Sequence, residues 1–227
     1  MRARPSGSRL YDLSDAHLDL ARLLLEHGAD VNRAPNVNSF DSFHLCAIFP
    51  GDRRRKFLLE LFLENGGNVN PNHPWIRHKP LELLLRNCAW TNDLAARLCL
   101  DSVRCLLRAG ALLDIDQNGR DCAQRSMNDA PLSERELSSH FYACKALISD
   151  YRAAGSTWKG YVRAPPKELL RLRSLIARGR ARERRRLRAA TPREIAFLFA
   201  PAFPNELFWK VATYWNPRYE ALTPNSN

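Results

Sequence analysis

Leu20-Ala-Arg-Leu-Leu-Leu-Glu-His-Gly-Ala-Asp-Val-Asn32 opens as an apolar run at helical spacing, stops at Gly28, and closes on a valine held between Asp30 and Asn32. It returns as Leu58-Leu-Glu-Leu-Phe-Leu-Glu-Asn-Gly-Gly-Asn-Val-Asn70 and as Val103-Arg-Cys-Leu-Leu-Arg-Ala-Gly-Ala-Leu-Leu-Asp114. Cys144-Lys-Ala-Leu-Ile-Ser-Asp-Tyr-Arg-Ala-Ala-Gly155 is a more distant fourth copy. The physics of one copy is that of a helix followed by a tight finger. The apolar residues fall on one helical face. A glycine takes the left-handed position at the C-cap without a Cβ penalty, and Asp or Asn beside the valine bonds its own backbone into a turn. A fixed unit that recurs along the chain is the sign of a stacked repeat architecture.

Gly-Ala-Asp-Val-Asn after such a helix resembles the outer helix and finger of the ankyrin repeat. Remnants of that family's inner helix precede the second and third copies: Ser42-Phe-His-Leu-Cys-Ala47 keeps the histidine and the apolar positions, and Lys79-Pro-Leu-Glu82 keeps the proline. Asp116-Gln-Asn-Gly119 matches the preceding turn of a further repeat. The resemblance implies an all-α fold: an ankyrin-repeat solenoid of about four divergent helix-turn-helix repeats with short β-finger loops over residues 1–157. A small helical segment follows over 158–227. Leu24, Leu61, Leu84, Leu106 and Leu147 are then expected between the helix layers.

The terminal glycines at 28, 66, 110 and 155 lie farther apart than the roughly 33 residues of the family repeat. The surplus falls between inner and outer helices, at Pro50 to Arg55, Asn87 to Leu100 and Ser126 to Leu137. The fingers and inner helices are left almost unlengthened. In ankyrin-like proteins those two surfaces meet the partner, which nominates Asn32, Arg33, Asn36, Asn70, Asn72, Trp75 and Arg77 as partner-binding residues. The first copy lacks a recognisable inner helix.

The C-terminal third differs in character. The chain carries a net charge of +11, and between Arg152 and Arg193 it holds 14 Lys and Arg against only Glu168 and Glu183. Pro165-Pro166 are expected to restart the chain, with a helix over about 167–186 placing Leu169, Leu172, Leu175 and Ile176 on one face. Arg180, Arg182, Arg184, Arg185, Arg186 and Arg188 form a basic patch. It reads as a solvated face, a nuclear-import signal or a site for an acidic protein surface. No aromatic residue interleaves with the arginines, so nucleic-acid binding is expected to be sequence-blind, with Kd on the order of 10⁻⁴ to 10⁻⁶ M at physiological salt.

Two short helices are expected next, over about 192–199 and from Asn205 onward. Phe203-Pro-Asn-Glu-Leu-Phe-Trp-Lys-Val-Ala-Thr-Tyr-Trp215 resembles the opening of an F-box, truncated as in the PRANC class of proteins. That implies docking of a Skp-type adaptor through Pro204, Glu206, Leu207, Phe208, Val211 and Trp215. Leu169-Leu-Arg-Leu-Arg-Ser-Leu-Ile-Ala-Arg178 is similar to the elongin-binding helix of a SOCS box, with Arg173 where that family has cysteine. Helices that merely cap the stack are the third reading.

Six cysteines, Cys46, Cys88, Cys99, Cys105, Cys122 and Cys144, lie in apolar helical surroundings without a CxxC pair, as expected of reduced core residues. His73, His78 and Cys88 match no zinc-site spacing. No cofactor or metal is expected. The first nine residues are basic but no apolar stretch follows, and no run reaches the length of a membrane span. The expected setting is cytoplasmic, with nuclear import as an alternative. No P-loop, dinucleotide fingerprint, nucleophile elbow or metalloprotease string is present. The reading is therefore a non-enzymatic protein-interaction module, or else one that recruits a ubiquitin ligase through its C-terminal segment.

Overall fold

The computed structural model describes residues 13–34, 40–48, 53–71, 78–88, 93–113, 139–181, 192–200 and 202–214. All regular structure among them is helical. The helices are α1 (Asp15–Glu26), α2 (Ser42–Ile48), α3 (Arg53–Glu64), α4 (Pro80–Cys88), α5 (Asp93–Arg108), α6 (Ser139–Ala153), α7 (Trp158–Ala177), α8 (Arg193–Leu198) and α9 (Asn205–Tyr214). The chain divides into two compact units, residues 1–149 and 150–227. None of these helices is long and apolar enough to cross a membrane.

In the first unit, α2 packs on α4, α1 on α3, and α3 on α5, while α2 pairs with α3 and α4 with α5. Two short helices thus contact each other in one layer and three longer ones run alongside in another. Between them lies the core: Phe43, Leu58, Leu59, Leu81, Leu84, Leu85, Val103, Leu106 and Leu107 are all buried. The glycine ends follow the expected chemistry. Gly66 has φ +76° and Gly110 φ +91°. The next amide in each case reaches back to close the last turn, Gly67 N–H to the Phe62 carbonyl and Ala111 N–H to the Leu106 carbonyl, both at 2.9 Å. These are Schellman closures.

Of the five expected interlayer leucines, Leu84, Leu106 and Leu147 are buried. Leu61 is half-buried. Leu24 is not in the core: it is 51% exposed, beside equally exposed Leu20 and Leu23. The cause is positional. Helix α1 packs on α3, and no short helix precedes it among the described residues to cover its other face.

Two further expectations are corrected. The surplus before α5 is not a loop from Asn87 to Leu100, because α5 starts at Asp93 and runs for 16 residues. Likewise Arg53–Arg55 already belong to α3. The cysteines are not all reduced either. Cys88 and Cys99, one on α4 and one on α5, are joined as a disulfide with Cα atoms 5.9 Å apart, a separation that suits the bond. Cys46, Cys105 and Cys144 are free. Burial pushes each of their thiols up to about 12, so at neutral pH they are uncharged packing groups rather than nucleophilic thiolates. Cys122 lies outside the described residues.

The second unit is built on α7. Thr157 caps it by accepting from Gly160 N–H at 3.1 Å, and the helix continues through Pro165 and Pro166. The prolines therefore do not restart the chain. Each removes a backbone donor, an interior defect worth roughly 3 kcal/mol, and burial of Pro166 offsets part of it. The helix ends at Ala177 rather than near 186. Gly179 at φ +69° turns the chain, and Arg180 N–H closes on the Leu175 carbonyl at 2.8 Å. Helix α9 packs on α7 by burying Phe208 and Ala212.

Candidate functional site

The nominated asparagines Asn32 and Asn70 occupy the same place in successive fingers, and their side chains do the same thing. Asn32 Nδ2 donates to the Gly66 carbonyl at 3.1 Å, and its Oδ1 accepts from Asn68 N–H at 2.6 Å. Asn70 Nδ2 donates to the Gly110 carbonyl at 3.0 Å, and its Oδ1 accepts from Leu112 N–H at 2.8 Å. Each amide spends both ends on the backbone of the next finger. The turn leading into each is also equivalent, since Asn32 N–H bonds Asp30 Oδ1 and Asn70 N–H bonds Asn68 Oδ1, both at 2.9 Å. These two residues hold fingers together before they can hold a partner.

A second link joins the short helices. His44 is buried, with Nδ1 2.8 Å from the Asp41 carboxylate, and Nε2–H donates to the His78 carbonyl at 2.9 Å. His78 in turn lies 2.7 Å from Glu82. Asp41 and Glu82 are thereby turned inward and buried. Among the described finger and short-helix residues, Arg33 and Arg86 are exposed along with Asp30, Asn32 and Asn68, and so are Phe40, Leu45 and Leu112, which are 40%, 48% and 56% exposed. Of the nominated residues among those described, Asn32 and Arg33 are exposed and Asn70 is half-buried. Asn36, Asn72, Trp75 and Arg77 lie outside the described residues. Phe40, Leu45 and Leu112 were not nominated from sequence. The available signal was an apolar residue in a finger or inner-helix position that the repeat pattern does not need for its core.

Replacing Asn70 with alanine is expected to hand the exposed Leu112 amide and Gly110 carbonyl to water and to cost about 0.5–1.5 kcal/mol. The same change at Arg33, which has no such bond, is expected within about 0.5 kcal/mol of the parent. Urea denaturation followed by circular dichroism would distinguish them, and equal effects would show that the clamp carries no weight.

Neither a family model, a curated protein nor a solved structure matches this chain.

In the second unit, Pro204, Glu206 and Leu207 are exposed, Val211 is half-buried, and Trp215 lies outside the described residues. Phe208 is buried instead, 3% exposed. Its ring packs on Phe199 at 5.4 Å and under the Arg173 guanidinium at 4.9 Å. Arg173 itself, where a SOCS-type helix would show cysteine, is buried. Of the basic patch, Arg180 is exposed, while Arg182, Arg184, Arg185, Arg186 and Arg188 lie outside the described residues.

Proposed function

We propose that residues 1–157 form an ankyrin-type repeat stack that recognises a partner protein through its fingers and short inner helices. The observation that carries this reading is the asparagine clamp, repeated in the same register between successive fingers. A clamp of that kind fixes the relative position of the fingers, which makes a preorganised surface rather than a set of loose loops, and preorganisation lowers the cost of binding. The exposed Phe40 and Leu45, together with the exposed Arg33 and Arg86, supply residue types from which interface anchors are drawn. Trp75 and Arg77 join them in this reading. No cofactor and no catalytic step is needed.

The alternative keeps the stack as substrate receptor and gives the C-terminal helices to a Skp-type or elongin-type adaptor. It is favoured by the outward stripe of α9, where Leu207 and Tyr214 are 47% and 77% exposed on the side away from Phe208. Burial of Phe208 and Arg173 speaks against the specific contacts that either box would make with them.

Quantitative co-purification of the full chain separates the two. Leu45→Arg and Trp75→Ala are expected to deplete the bound partners by tenfold or more, at about 1.4 kcal/mol per decade, whereas Leu207→Arg leaves them in place. Ligase subunits lost with Leu207→Arg, and only with it, would move the assignment to the alternative. Partners indifferent to all three substitutions would reject both.

A further inference from the structure

Helix α7 carries its charge along one side. Lys159, Arg163, Lys167 and Arg171 follow one another at four-residue intervals, and Arg178, at the C-cap, comes seven residues after the last of them. Steps of four and seven residues return to nearly the same helical face. All five are exposed, and none makes an ion pair or a side-chain hydrogen bond among the described residues. At 1.5 Å per residue the row runs for about 28 Å. Glu168, the one acid on α7, is exposed on the flank of the row. The opposite side of the helix is closed, with Tyr161, Val162, Pro166 and Arg173 buried and α9 packed on it. Like charges four residues apart repel and weaken a helix rather than support it, so the row is relieved by a dense array of opposite charge.

We propose that this row is a docking face for the phosphate backbone of double-stranded DNA, held without regard to sequence. Duplex DNA carries one negative charge for about every 1.7 Å of its axis, so a rigid row of cations meets phosphates wherever it lands. A stripe of Lys and Arg along a helix, on a chain of net charge +11, is the electrostatic footprint of such a partner. Leu170 and Ser174 share this face. They offer no aromatic ring to stack on an unpaired base and no amide or acid to read a base edge. A lipid surface would require the apolar side of α7 to enter the headgroup layer, and that side is already packed. The face lies within the second unit and stands independently of the partner recognition assigned to the repeats.

The test titrates a fluorescent duplex of about 20 base pairs with the full chain and follows anisotropy between about 50 and 200 mM salt. Contact with four phosphates gives a slope of log affinity on log salt of about −3.6, a loss of about 150-fold over that range. Two unrelated duplex sequences are expected to bind equally. Lys159→Gln, Arg163→Gln, Lys167→Gln and Arg171→Gln together are expected to weaken binding at the lower salt by about tenfold or more and to flatten the slope by about two units or more. Glutamine at Arg182, Arg184, Arg185, Arg186 and Arg188 tests the arginines that follow, and is expected to leave the α7 share of the slope in place. Should the α7 variant fail to fold by circular dichroism, Glu168→Lys, which adds a cation beside the row, is expected to steepen the slope by about one unit. Absence of binding to either duplex, or a slope that the α7 substitutions leave unchanged, would overturn the proposal. So would α7-dependent binding to vesicles of phosphatidylcholine and phosphatidylserine without binding to the duplex, which would give the row to a lipid surface.

Discussion

Truncating Leu106 to alanine is expected to remove about 2–5 kcal/mol of stability. The side chain is 1% exposed, in the middle of α5, where it shares the core with Leu84, Leu85, Val103 and Leu107. A cavity there is walled by both helix layers and has little freedom to collapse. Leu84→Ala on α4 is expected to fall in the same range. Leu24→Ala, by contrast, changes a leucine half in water on α1 and is expected to cost well under half as much, although Leu24 and Leu106 occupy equivalent apolar positions in their copies of the repeated segment. Because α3 and α5 pack on each other, the Leu106 loss should reach both helices rather than melt one; in the proposed repeat stack such spreading is expected. Denaturant titration of the three variants, with hydrogen exchange to locate the loss, would check it. A Leu24→Ala cost equal to that of Leu106→Ala would mean that the exposed face of α1 has been misassigned.

The second large effect comes from adding one methyl group. In the first and third fingers the residue after the terminal glycine is Ala29 or Ala111, whereas in the second it is Gly67. A Cβ at Gly67 would overlap the Phe43 ring and the Phe62 carbonyl. Phe43 is fixed in place, 1% exposed and edge-on to Phe62 at 6.1 Å. Gly67→Ala is thus expected to destabilise by about 1–3 kcal/mol through overpacking. The diagnostic outcome is the double variant. Phe43→Leu returns the smaller aliphatic side chain found at Leu81 on α4, and it should recover part of the Gly67→Ala loss, with a favourable coupling of about 0.5–3 kcal/mol. Strict additivity of the two changes would show that the ring and the glycine are unrelated.

These two cases also show what can be read from the chain before its structure. The outer helices and their ends are legible because a 3.6-residue apolar pattern and a left-handed glycine are local properties. The α8 and α9 helices are marked in the same way by Pro192 and Asn205. Burial is not local. Leu24 and Leu106 look alike in sequence, and only the presence or absence of a second helix layer separates them. Helix α7 passes through Pro165-Pro166 against the usual local rule for helix interiors, and burial of the second ring offsets part of that cost. The Cys88–Cys99 bond depends on the extra turns of α5, which no spacing rule records.

The candidate site is legible to a lesser degree. Turn-forming asparagines attract attention as polar surface residues, yet the amides of Asn32 and Asn70 are consumed by the next finger. Phe40 and Leu45 are exposed apolar residues, and nothing in their local pattern separates them from the buried Phe43 and Cys46 nearby. Arg173 is hidden among the nine arginines of residues 171–188, and nothing in that stretch marks it as a buried one.

The asparagine clamp bears on how such a chain can grow or shrink over generations. Each link runs forward, from the amide of one finger to the glycine carbonyl and an amide of the next. The second finger both receives a link and makes one. A duplication of residues 33–70 would insert a module whose incoming and outgoing bonds are already matched, and a deletion of the same span would leave Asn32 facing Gly110 and Leu112 in place of Gly66 and Asn68. Gain or loss of a whole finger is then tolerated at the level of hydrogen bonding, while a break elsewhere in the period strands a donor and an acceptor. Copy number can change between lineages more easily than the length of any one copy's finger.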